Sequence, residues 1–467
     1  MPTNMADQAI AKPLRLAFYG DDFTGSTDAL EVLAFAGFRC ALFLETPTLQ
    51  ALEELGGFDA IGIAGESRGM SPSEMDKELP PILEALERLQ APVVHYKVCS
   101  TFDSSPTIGS IGHVMELARN VFGTRMMPII AGTPSLSRYC AFGNLFARSG
   151  TDGKTYRIDK HPIMSVHPVT PMHEGDLTVH LSRQTAIRIQ NFALPNFELD
   201  LPERDGALDR TEVGALLFDS ITEAHLTEVG RLLEVLASKS RTTFVVGSSG
   251  VEYALTQHWR ATGREGSLNL RFDAFDAVDQ VLAISGSASA LSALQIDAAL
   301  ASGFVDVPLD AALLVDEVRW KEESQLLSER VIDLLRQGRS VMLHTARGPQ
   351  DKRIAKMIDS LVARGETSDQ ARHRGGRLLG ERLGLIVQNV LQAVPLRRLL
   401  LSGGDTSSQI TKVLAPDALE VAARLAPGAP LCRAISKKPH LVNLQIALKG
   451  GQMGSQDYFV KALKGTA

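Results

Sequence analysis

The sequence is poor in cysteine and in aromatic residues, and it contains no long apolar run. Only 4 of its 467 residues are cysteines, and no two of them form a CxxC pair. A structural zinc site and a disulfide framework are therefore not expected. Every apolar stretch falls short of the roughly 18 residues that a membrane-spanning helix needs, so no association with a membrane is expected.

The sequence also lacks a basic excess. Its 48 Lys and Arg residues are outnumbered by 54 Asp and Glu residues, which gives a formal net charge of −6. A general nucleic-acid binder usually carries a basic excess or stripe, so that class of protein is not expected. Residues 1–13 include Asp7 and lack the apolar segment of a signal peptide, so we expect a cytoplasmic protein. A local site for an anionic small molecule stays compatible with this charge.

What the sequence does contain is a globular composition with a repeated pattern of strands and helices. It is 44% hydrophobic and 22% charged, and more than one domain is expected because a single core rarely exceeds about 300 residues. Short apolar runs, typical of strands covered on both faces, alternate with helical patterns. The runs lie at 14–19, 39–44, 59–64, 93–98, 126–131, 215–219, 243–246, 281–284, 340–344, 398–401 and 442–448. This alternation predicts an α/β protein whose domains have mainly parallel sheets.

Two local patterns predict boundaries. The polar, irregular stretch 261–280 predicts a domain connection. It leaves an N-terminal domain at 1–265 and a C-terminal domain at 275–467, with the ligand site expected between them. Ser71 and Glu74 form a capping box that predicts the start of a helix, and Pro80 and Pro81 are expected to interrupt that helix.

Candidate site residues follow the first and third apolar runs, because ligands in open α/β sheets bind beyond the carboxyl ends of the strands. Asp21 and Asp22 come directly after the first run. They either bind a substrate hydroxyl and accept its proton, or Asp22 only caps the next helix. Arg68 follows the third run, where its fork suits a carboxylate or a phosphate. An ordinary surface arginine is the alternative.

A further candidate loop follows the fourth run. Lys97, Ser100 and Thr101 combine a cation with hydroxyls, a set that suits recognition of anions and hydroxyls. An ordinary Ser/Thr-rich turn is the alternative. Residues 65–69 also match the G-x-S-x-G pattern of serine hydrolases, with Ser67 as nucleophile, although no HGGG-type segment precedes them.

Three glycine-rich or hydroxyl-rich loops follow strands of the second half. They are 285–289, 402–407 and 449–454. Paired glycines let the backbone approach a ligand closely, and exposed amides at a turn and a helix start suit phosphate. Three such loops in one domain favour a nucleotide site, although the sequence contains neither a Walker A motif nor a G-x-G-x-x-G motif.

Taken in order, these loops resemble the four-carbon acid sugar kinase family. The strongest marks are residues 21–25 (DDFTG) and 402–406 (SGGDT). Supporting marks are residues 167–172 (HPVTPM), 285–287 (SGS) and 449–451 (KGG). The resemblance spans nearly the whole chain and implies two domains, an N-terminal one for a sugar acid and a C-terminal one for a nucleotide.

The resemblance implies phosphorylation of a sugar-acid hydroxyl with ATP and Mg²⁺. The implied sugar-acid site consists of Asp21, Asp22, Arg68, Lys97, Ser100 and Thr101. The implied ATP site consists of Ser285, Ser287, Gly403, Gly404, Asp405, Thr406, Lys449, Gly450, Gly451 and Gln452. Arg68 and Lys97 would hold the substrate carboxylate, and Asp22, or its neighbour Asp21, would accept the proton of the attacking hydroxyl. Mg²⁺ would lie near Asp405, unless Asp405 is itself the catalytic base. Formation of a homo-oligomer stays open.

The chain departs from the family pattern in the loop after the fourth run. Family members typically show an acid before the Ser-Thr pair, where this chain has Cys99, and an asparagine where it has Ser110. The changed loop favours an oxo or branched acid, such as 3-oxo-tetronate or 3-oxo-isoapionate, over threonate or erythronate. Two other classes stay as alternatives: a serine hydrolase that uses Ser67, and a sugar-acid sensor without catalysis. His167, His173 and His180 do not follow a known metal-ligand spacing, so ordinary hydrogen-bonded histidines are expected there.

Overall fold

The computed structural model describes residues 13–150, 152–167, 169–209, 214–266, 272 and 274–466. The chain divides into two units, Met1–Asn269 and Leu270–Ala467. The limits of both units fall inside the polar stretch 261–280. Because the fold does not assign a ligand to either unit, the sugar-acid role of 1–265 and the nucleotide role of 275–467 stay predictions at this level.

The first unit is built on a parallel sheet whose short strands are buried on both faces, as the continuous apolar runs predict. In chain order, its strands are β1 (Leu16–Gly20), β2 (Cys40–Phe43), β3 (Ala60–Ala64), β4 (Val93–Lys97), β5 (Met127–Ile130), β6 (Arg138–Ala141), β7 (Asn144–Arg148), β8 (Thr155–Arg157), β9 (Ile189–Phe192), β10 (Ala215–Phe218) and β11 (Thr243–Gly247). In the parallel sheet the order is β2-β3-β1-β4-β11-β5-β10-β9. The order reverses between β1 and β4, and the crevice at such a switch point is where ligands bind.

Helices connect the parallel strands of this unit. They are α1 (Phe23–Phe35), α2 (Leu49–Glu54), α3 (Pro72–Arg88), α4 (Ile111–Phe122), α5 (Leu177–Ser182), α6 (Leu201–Asp209), α7 (Glu223–Ala237) and α8 (Gly250–Ala261). The predicted capping box is present at the start of α3, where the Ser71 amide donates to the Glu74 carboxylate at 2.8 Å.

The predicted interruption of α3 is wrong. Pro80 and Pro81 lie inside one continuous helix. Each proline removes one backbone hydrogen bond, but the buried stripe of α3 passes straight through both of them. The buried residues are Met75, Leu79, Leu83 and Leu86. Burial of that stripe stabilises the helix enough to offset the lost bonds.

A small antiparallel sheet of β6, β7 and β8 lies outside the main sheet of the first unit. The apolar runs did not predict it, because its strands are half exposed and carry arginine, asparagine and threonine. It begins directly after the loop that follows β5.

The second unit repeats the α/β arrangement and adds a hairpin. Its strands are β12 (Leu282–Ser285), β13 (Val305–Pro308), β14 (Val341–His344), β15 (Arg398–Ser402), β16 (Ala418–Ala426), β17 (Ala429–Ile435) and β18 (Gln445–Lys449). Its helices are α9 (Ala290–Ala301), α10 (Ala311–Val315), α11 (Trp320–Arg336), α12 (Lys352–Val362), α13 (Ser368–Ala393), α14 (Gly404–Leu414) and α15 (Tyr458–Lys464). The strand order is β13-β14-β12-β15-β18-β17-β16, with β17 antiparallel to both neighbours. The switch point lies between β12 and β15.

The prediction of an α/β fold with mainly parallel sheets is confirmed in both units. Within the described ranges, no helix is long and apolar enough to cross a membrane.

Candidate active site

The turn after β1 puts two carboxylates at the switch point of the first unit. Asp22 caps α1, because its Oδ1 accepts the Gly25 amide at 2.9 Å. Gly25 is required for this close approach, since a Cβ there would lie 2.4 Å from Asp22 Oδ1. The cap that the sequence offers as an alternative to catalysis is therefore present, and it fixes where the carboxylate stands.

Arg68 forms hydrogen bonds with both carboxylates. Its Nε and Nη2 donate to the two oxygens of Asp21 at 3.1 and 2.7 Å, and Nη2 also donates to Asp22 Oδ1 at 2.8 Å. Burial works against the charge on Arg68, but Asp21 and Asp22 outweigh it and raise the guanidinium pKa. Both oxygens of Asp21 are occupied, whereas Asp22 Oδ2 has no hydrogen-bond partner among the residues that the structure describes. Asp22 is thus the carboxylate with an oxygen left to meet a substrate hydroxyl.

Lys97, at the end of β4, lies on the other side of the switch point. It is buried, with its ammonium donating to the Val98 carbonyl at 3.1 Å and 3.8 Å from Asp28 Oδ2. Burial raises the pKa of Asp28, while Lys97 opposes the shift. Asp28 was not predicted as a site residue. The only signal was its place on α1, six residues after the cap Asp22, which is too common an arrangement to be diagnostic.

The loop after β4 forms a chain of hydrogen bonds rather than an open set of hydroxyls. The Thr101 hydroxyl donates to Asp103 Oδ1 at 2.5 Å, and the Thr170 hydroxyl donates to Asp103 Oδ2 at 3.0 Å. Because the proton of Thr101 is used in this way, the Cys99 thiol donates to Thr101 Oγ1 at 2.9 Å. Burial raises the pKa of the Cys99 thiol, and Asp103 adds to the effect. Ser100 is half-buried in the same turn.

Ser67 does not have the surroundings of a hydrolase nucleophile. It begins a 3₁₀ helix, Ser67–Gly69, rather than the α-helix of a nucleophile elbow. Its buried hydroxyl lies 2.9 Å from the phenol of Tyr96. Burial raises the pKa of that phenol well above its ordinary value, so the phenol is no general base at neutral pH. The geometry does not support the hydrolase alternative.

Replacing Ser67 by Ala tests this assignment. We expect the Ser67→Ala variant to keep the activity of the wild type and to lose about 1–3 kcal/mol of stability, because the buried Tyr96 hydroxyl loses its partner. A fluorophosphonate probe should label neither protein. Labelling of the wild type that disappears in the variant would support the hydrolase instead.

In the second unit, three strand ends stand side by side. Ser285, Ser402 and Lys449 are in register, since Ser285 pairs with Ser402 and Ser402 with Lys449. The loops that follow are tied to the neighbouring strand ends, with the Gly286 amide donating to Ser402 O and the Gly403 amide to Lys449 O, both at 2.9 Å. The three loops predicted from the sequence therefore come together at one edge of the sheet.

Glycine is required where these loops touch. A Cβ on Gly286 would lie 1.8 Å from Thr406 Oγ1, and a Cβ on Gly451 would lie 2.2 Å from Ser287 Oγ. Gly403 has a φ of 109°, which a residue with a side chain rarely adopts. The contacts leave the backbone amides at the start of α14 open to a ligand.

A cavity of about 290 Å³ lies against these loops. Of the predicted nucleotide residues, its lining includes Ser287, Gly403, Gly404, Asp405, Thr406 and Gly451. The remainder of the lining includes the apolar side chains Ala311, Ile354, Met357 and Leu379. These four residues were not predicted, because apolar positions on amphipathic helices give no sign of facing a ligand rather than the core. Polar backbone at one end and an apolar wall at the other suit a nucleotide.

Four of the predicted nucleotide residues do not line this cavity. They are Ser285, Lys449, Gly450 and Gln452. Ser285 is buried behind the loop, and its hydroxyl has no partner in the described part of the chain. Lys449 is completely buried, with its ammonium 5.6 Å from the ring centre of Tyr458 and 3.1 Å from the Gly450 carbonyl. Burial lowers the pKa of Lys449 to about 8.

The buried charge of Lys449 predicts a pH-dependent stability. The folded protein releases this proton near pH 8, whereas the unfolded chain holds it up to about pH 10.5. The buried charge thus destabilises the fold by up to about 3 kcal/mol below pH 8, and that loss disappears as the pH rises to 10.5. We expect Lys449→Met to melt above the wild type at pH 7 and the difference to shrink by pH 10, measured by scanning calorimetry. A constant difference across this range would contradict the prediction.

Of the three histidines for which the sequence predicts ordinary hydrogen bonds, His167 and His180 are hydrogen-bonded, whereas His173 is exposed. His180 Nε2 lies 2.9 Å from Ser104 Oγ, and His167 Nδ1 accepts the Thr170 amide at 3.1 Å. Within the described ranges, no group of three or more His, Cys, Asp and Glu side chains could hold a metal ion. Pro168, part of one family mark, lies outside the described residues.

Comparison with protein families assigns a class to each unit. A family model described as a sugar-binding N-terminal domain matches residues 16–255. A second, described as a nucleotide-binding C-terminal domain, matches residues 282–459. The first match contains the Asp21, Asp22, Arg68 and Lys97 cluster, and the second contains the glycine loops and their cavity.

Comparison with individual proteins agrees. A 3-oxo-isoapionate kinase from Paraburkholderia graminis is 42% identical over 98% of this chain and 96% of the relative. A 3-oxo-tetronate kinase from Cupriavidus necator is 26% identical, and a D-threonate kinase from Salmonella typhimurium is 25% identical, each over at least 96% of both chains. A solved structure from Salmonella typhimurium LT2, 21% identical, shares the fold with a TM-score of 0.73 over 97% of this chain and 99% of that one. On these matches, the chain belongs to the four-carbon acid sugar kinase family.

Proposed function

We propose that this protein is an ATP-dependent kinase of a 3-oxo sugar acid, with 3-oxo-isoapionate as the foremost candidate. The observation that carries the proposal is the convergence of three glycine loops around one cavity in the second unit. A non-catalytic sensor has no need of such a phosphate-binding arrangement. The choice of acid is supported by the 42% identity to a 3-oxo-isoapionate kinase, against 26% and 25% for the tetronate and threonate kinases.

In this proposal Asp22 accepts the proton of the attacking hydroxyl. Its Oδ1 is held by the Gly25 amide and by Arg68, which leaves Oδ2 for the substrate. Asp21 orients Arg68 through two hydrogen bonds and so holds Asp22 in place from behind. Phosphoryl transfer depends mainly on positioning and on neutralised charge, so a fixed carboxylate beside a guanidinium suits it.

The nucleotide phosphates would lie against the amides of the loops at 286–287 and 403–406, where the start of α14 favours negative charge. The adenine ring would lie against the apolar wall of the cavity. The residues also fit Mg²⁺, since the exposed Asp405 carboxylate and the Thr406 hydroxyl line the same cavity, and Mg²⁺ usually takes only one or two protein carboxylates beside phosphate oxygens. When bound there, Mg²⁺ would neutralise phosphate charge. We therefore assign Asp405 to the metal and Asp22 to the proton.

An assay of ADP release with several acids tests the proposal. We expect the highest kcat/KM with 3-oxo-isoapionate, lower values with 3-oxo-tetronate and the lowest with D-threonate, each in the presence of ATP and Mg²⁺. A maximum with D-threonate would overturn the choice of acid. Binding of these acids without ADP release would overturn the proposed kinase activity and favour a non-catalytic sugar-acid sensor.

A further inference from the structure

The cations at the switch point of the first unit are already neutralised. Arg68 contacts both Asp21 and Asp22, and Lys97 lies near Asp28. Each of the two cations is therefore already paired with a carboxylate of the protein, so neither is a free anchor for the carboxylate of a sugar acid. The carboxylate needs a different partner, and the proposed function rests on there being one.

Arg138, unlike Arg68 and Lys97, forms no ion pair with a described carboxylate of the protein. It is the first residue of β6, the strand that comes after the loop at the carboxyl end of β5. Its Nη1 donates to the carbonyls of Leu136 and Ser137 at 3.1 and 3.2 Å, and more weakly to that of Arg148 at 3.5 Å. These carbonyls hold the guanidinium in place without neutralising it. Within the described part of the chain, no Asp or Glu forms an ion pair with Arg138 or offsets the effect of burial, which lowers its pKa.

The remaining edge of the Arg138 guanidinium has the geometry of a carboxylate clamp. Its Nε is buried and has no hydrogen-bond partner among the described residues, and Nη2 on the same edge makes none of the hydrogen bonds found for this side chain. Arg68 uses the same Nε and Nη2 pair to hold Asp21. Leaving a buried, charged donor unsatisfied is costly, and a bidentate carboxylate removes that cost.

Arg138 also lies close to the candidate substrate loop. Arg138 and Arg68 each lie within electrostatic range of the Cys99 thiol. The strands β1 and β5 are separated by β4 and β11, which places their ends about 14 Å apart at about 4.8 Å per strand. The ends of β1 and β5 therefore lie far enough apart for a four- or five-carbon acid to fit between them.

We propose that the Nε and Nη2 edge of Arg138 binds the carboxylate of the sugar acid, with the chain of the acid running past Cys99 and its hydroxyl end at Asp22. The inference names the anchor of the proposed substrate, and it rests on the proposed function. In this arrangement Arg68 binds Asp22 and does not bind the substrate carboxylate. It also makes Arg138 the residue that distinguishes an acid from a neutral sugar derivative.

The test compares the sugar acid 3-oxo-isoapionate with its primary amide, which has the same shape without the charge. Binding to each is measured by calorimetry, and ADP release is measured in parallel. We expect the wild type to prefer the acid over the amide by at least about tenfold, as a charged hydrogen-bonded pair allows. We expect Arg138→Met to bind the acid 10- to 1000-fold more weakly and to lose the preference, with unchanged affinity for ATP.

Two further variants keep the outcome clear. Arg148→Met removes an exposed arginine of the same small sheet, and it should behave as the wild type. Arg138→Lys keeps the charge without the fork, and it should retain part of the preference for the acid even if Arg138→Met folds poorly. A preference that survives in Arg138→Met, or a wild type that binds no acid, overturns the inference. If the wild type binds the acid through Arg138 but releases no ADP, the proposed kinase activity is overturned and the role of Arg138 stands.

Discussion

The Asp22→Asn variant is expected to lose turnover by about 10²- to 10⁴-fold, the usual contribution of a general base. Asparagine keeps an oxygen that can accept the Gly25 amide, so the start of α1 should remain folded. What it loses is the ability to take a proton at the second oxygen. The fall should appear in kcat from an ADP-release assay, while calorimetry should show unchanged binding of ATP.

A second capping aspartate provides the control for this variant. Asp176 caps α5 in the same unit and accepts the Thr178 amide at 2.8 Å. Asp176→Asn alters the same kind of helix cap at a residue that has no part in the proposed chemistry, so the variant should have normal turnover. Near-normal turnover of Asp22→Asn would remove Asp22 from the proton transfer. A large fall in kcat of Asp405→Asn that added Mg²⁺ does not lessen would then favour Asp405 as the base.

The Gly286→Ala variant is expected to weaken ATP binding by about 10- to 100-fold. The added Cβ would lie 1.8 Å from Thr406 Oγ1, so the loops after β12 and β15 must separate. Overpacking of this kind costs about 1–3 kcal/mol, and separation of the loops removes the aligned amides that the phosphates need. Calorimetric titration with ATP measures the effect directly.

Gly376 is the matched control for this substitution. It lines the same cavity from α13, but a Cβ there would lie more than 4 Å from every described atom outside the neighbouring turns of its own helix. Gly376→Ala should therefore bind ATP as the wild type does, and its melting temperature should not fall, because alanine favours a helix interior over glycine. Equal weakening in both variants would show that the loss is not specific to the contact of the glycine loops.

The positions of the site loops could be predicted because they follow from the strands. Short apolar runs bounded by polar turns define where a parallel strand ends, and polar residues after a strand end lie at one edge of the sheet. That reasoning placed Asp22 and Arg68 in the first unit and Gly403 in the second without knowledge of their contacts. The strand ends differed from the predicted ones by only one or two residues in most cases, as at β4 (Val93–Lys97) against 93–98.

The remainder of the site depends on packing that no local pattern reports. Whether Lys449 points into the cavity or into the aromatic side chains of α15 is decided by the face of β18 on which it lies, and its buried position was not predicted. Arg138 carries no motif, because its proposed role depends on its forming no ion pair with any Asp or Glu that the structure describes. The continuous α3 through Pro80 was also missed, since a proline's effect depends on the burial of its neighbours.

The raised pKa of the Cys99 thiol has a consequence for the handling of this protein and for its response to oxidants. Peroxide and alkylating reagents react with the thiolate, and a thiol that stays protonated at neutral pH reacts slowly with both. We therefore expect preparations stored in air without a reducing agent to keep Cys99 unmodified. Oxidants in a cell should likewise leave Cys99 reduced, so they should not change the activity of the enzyme through this residue.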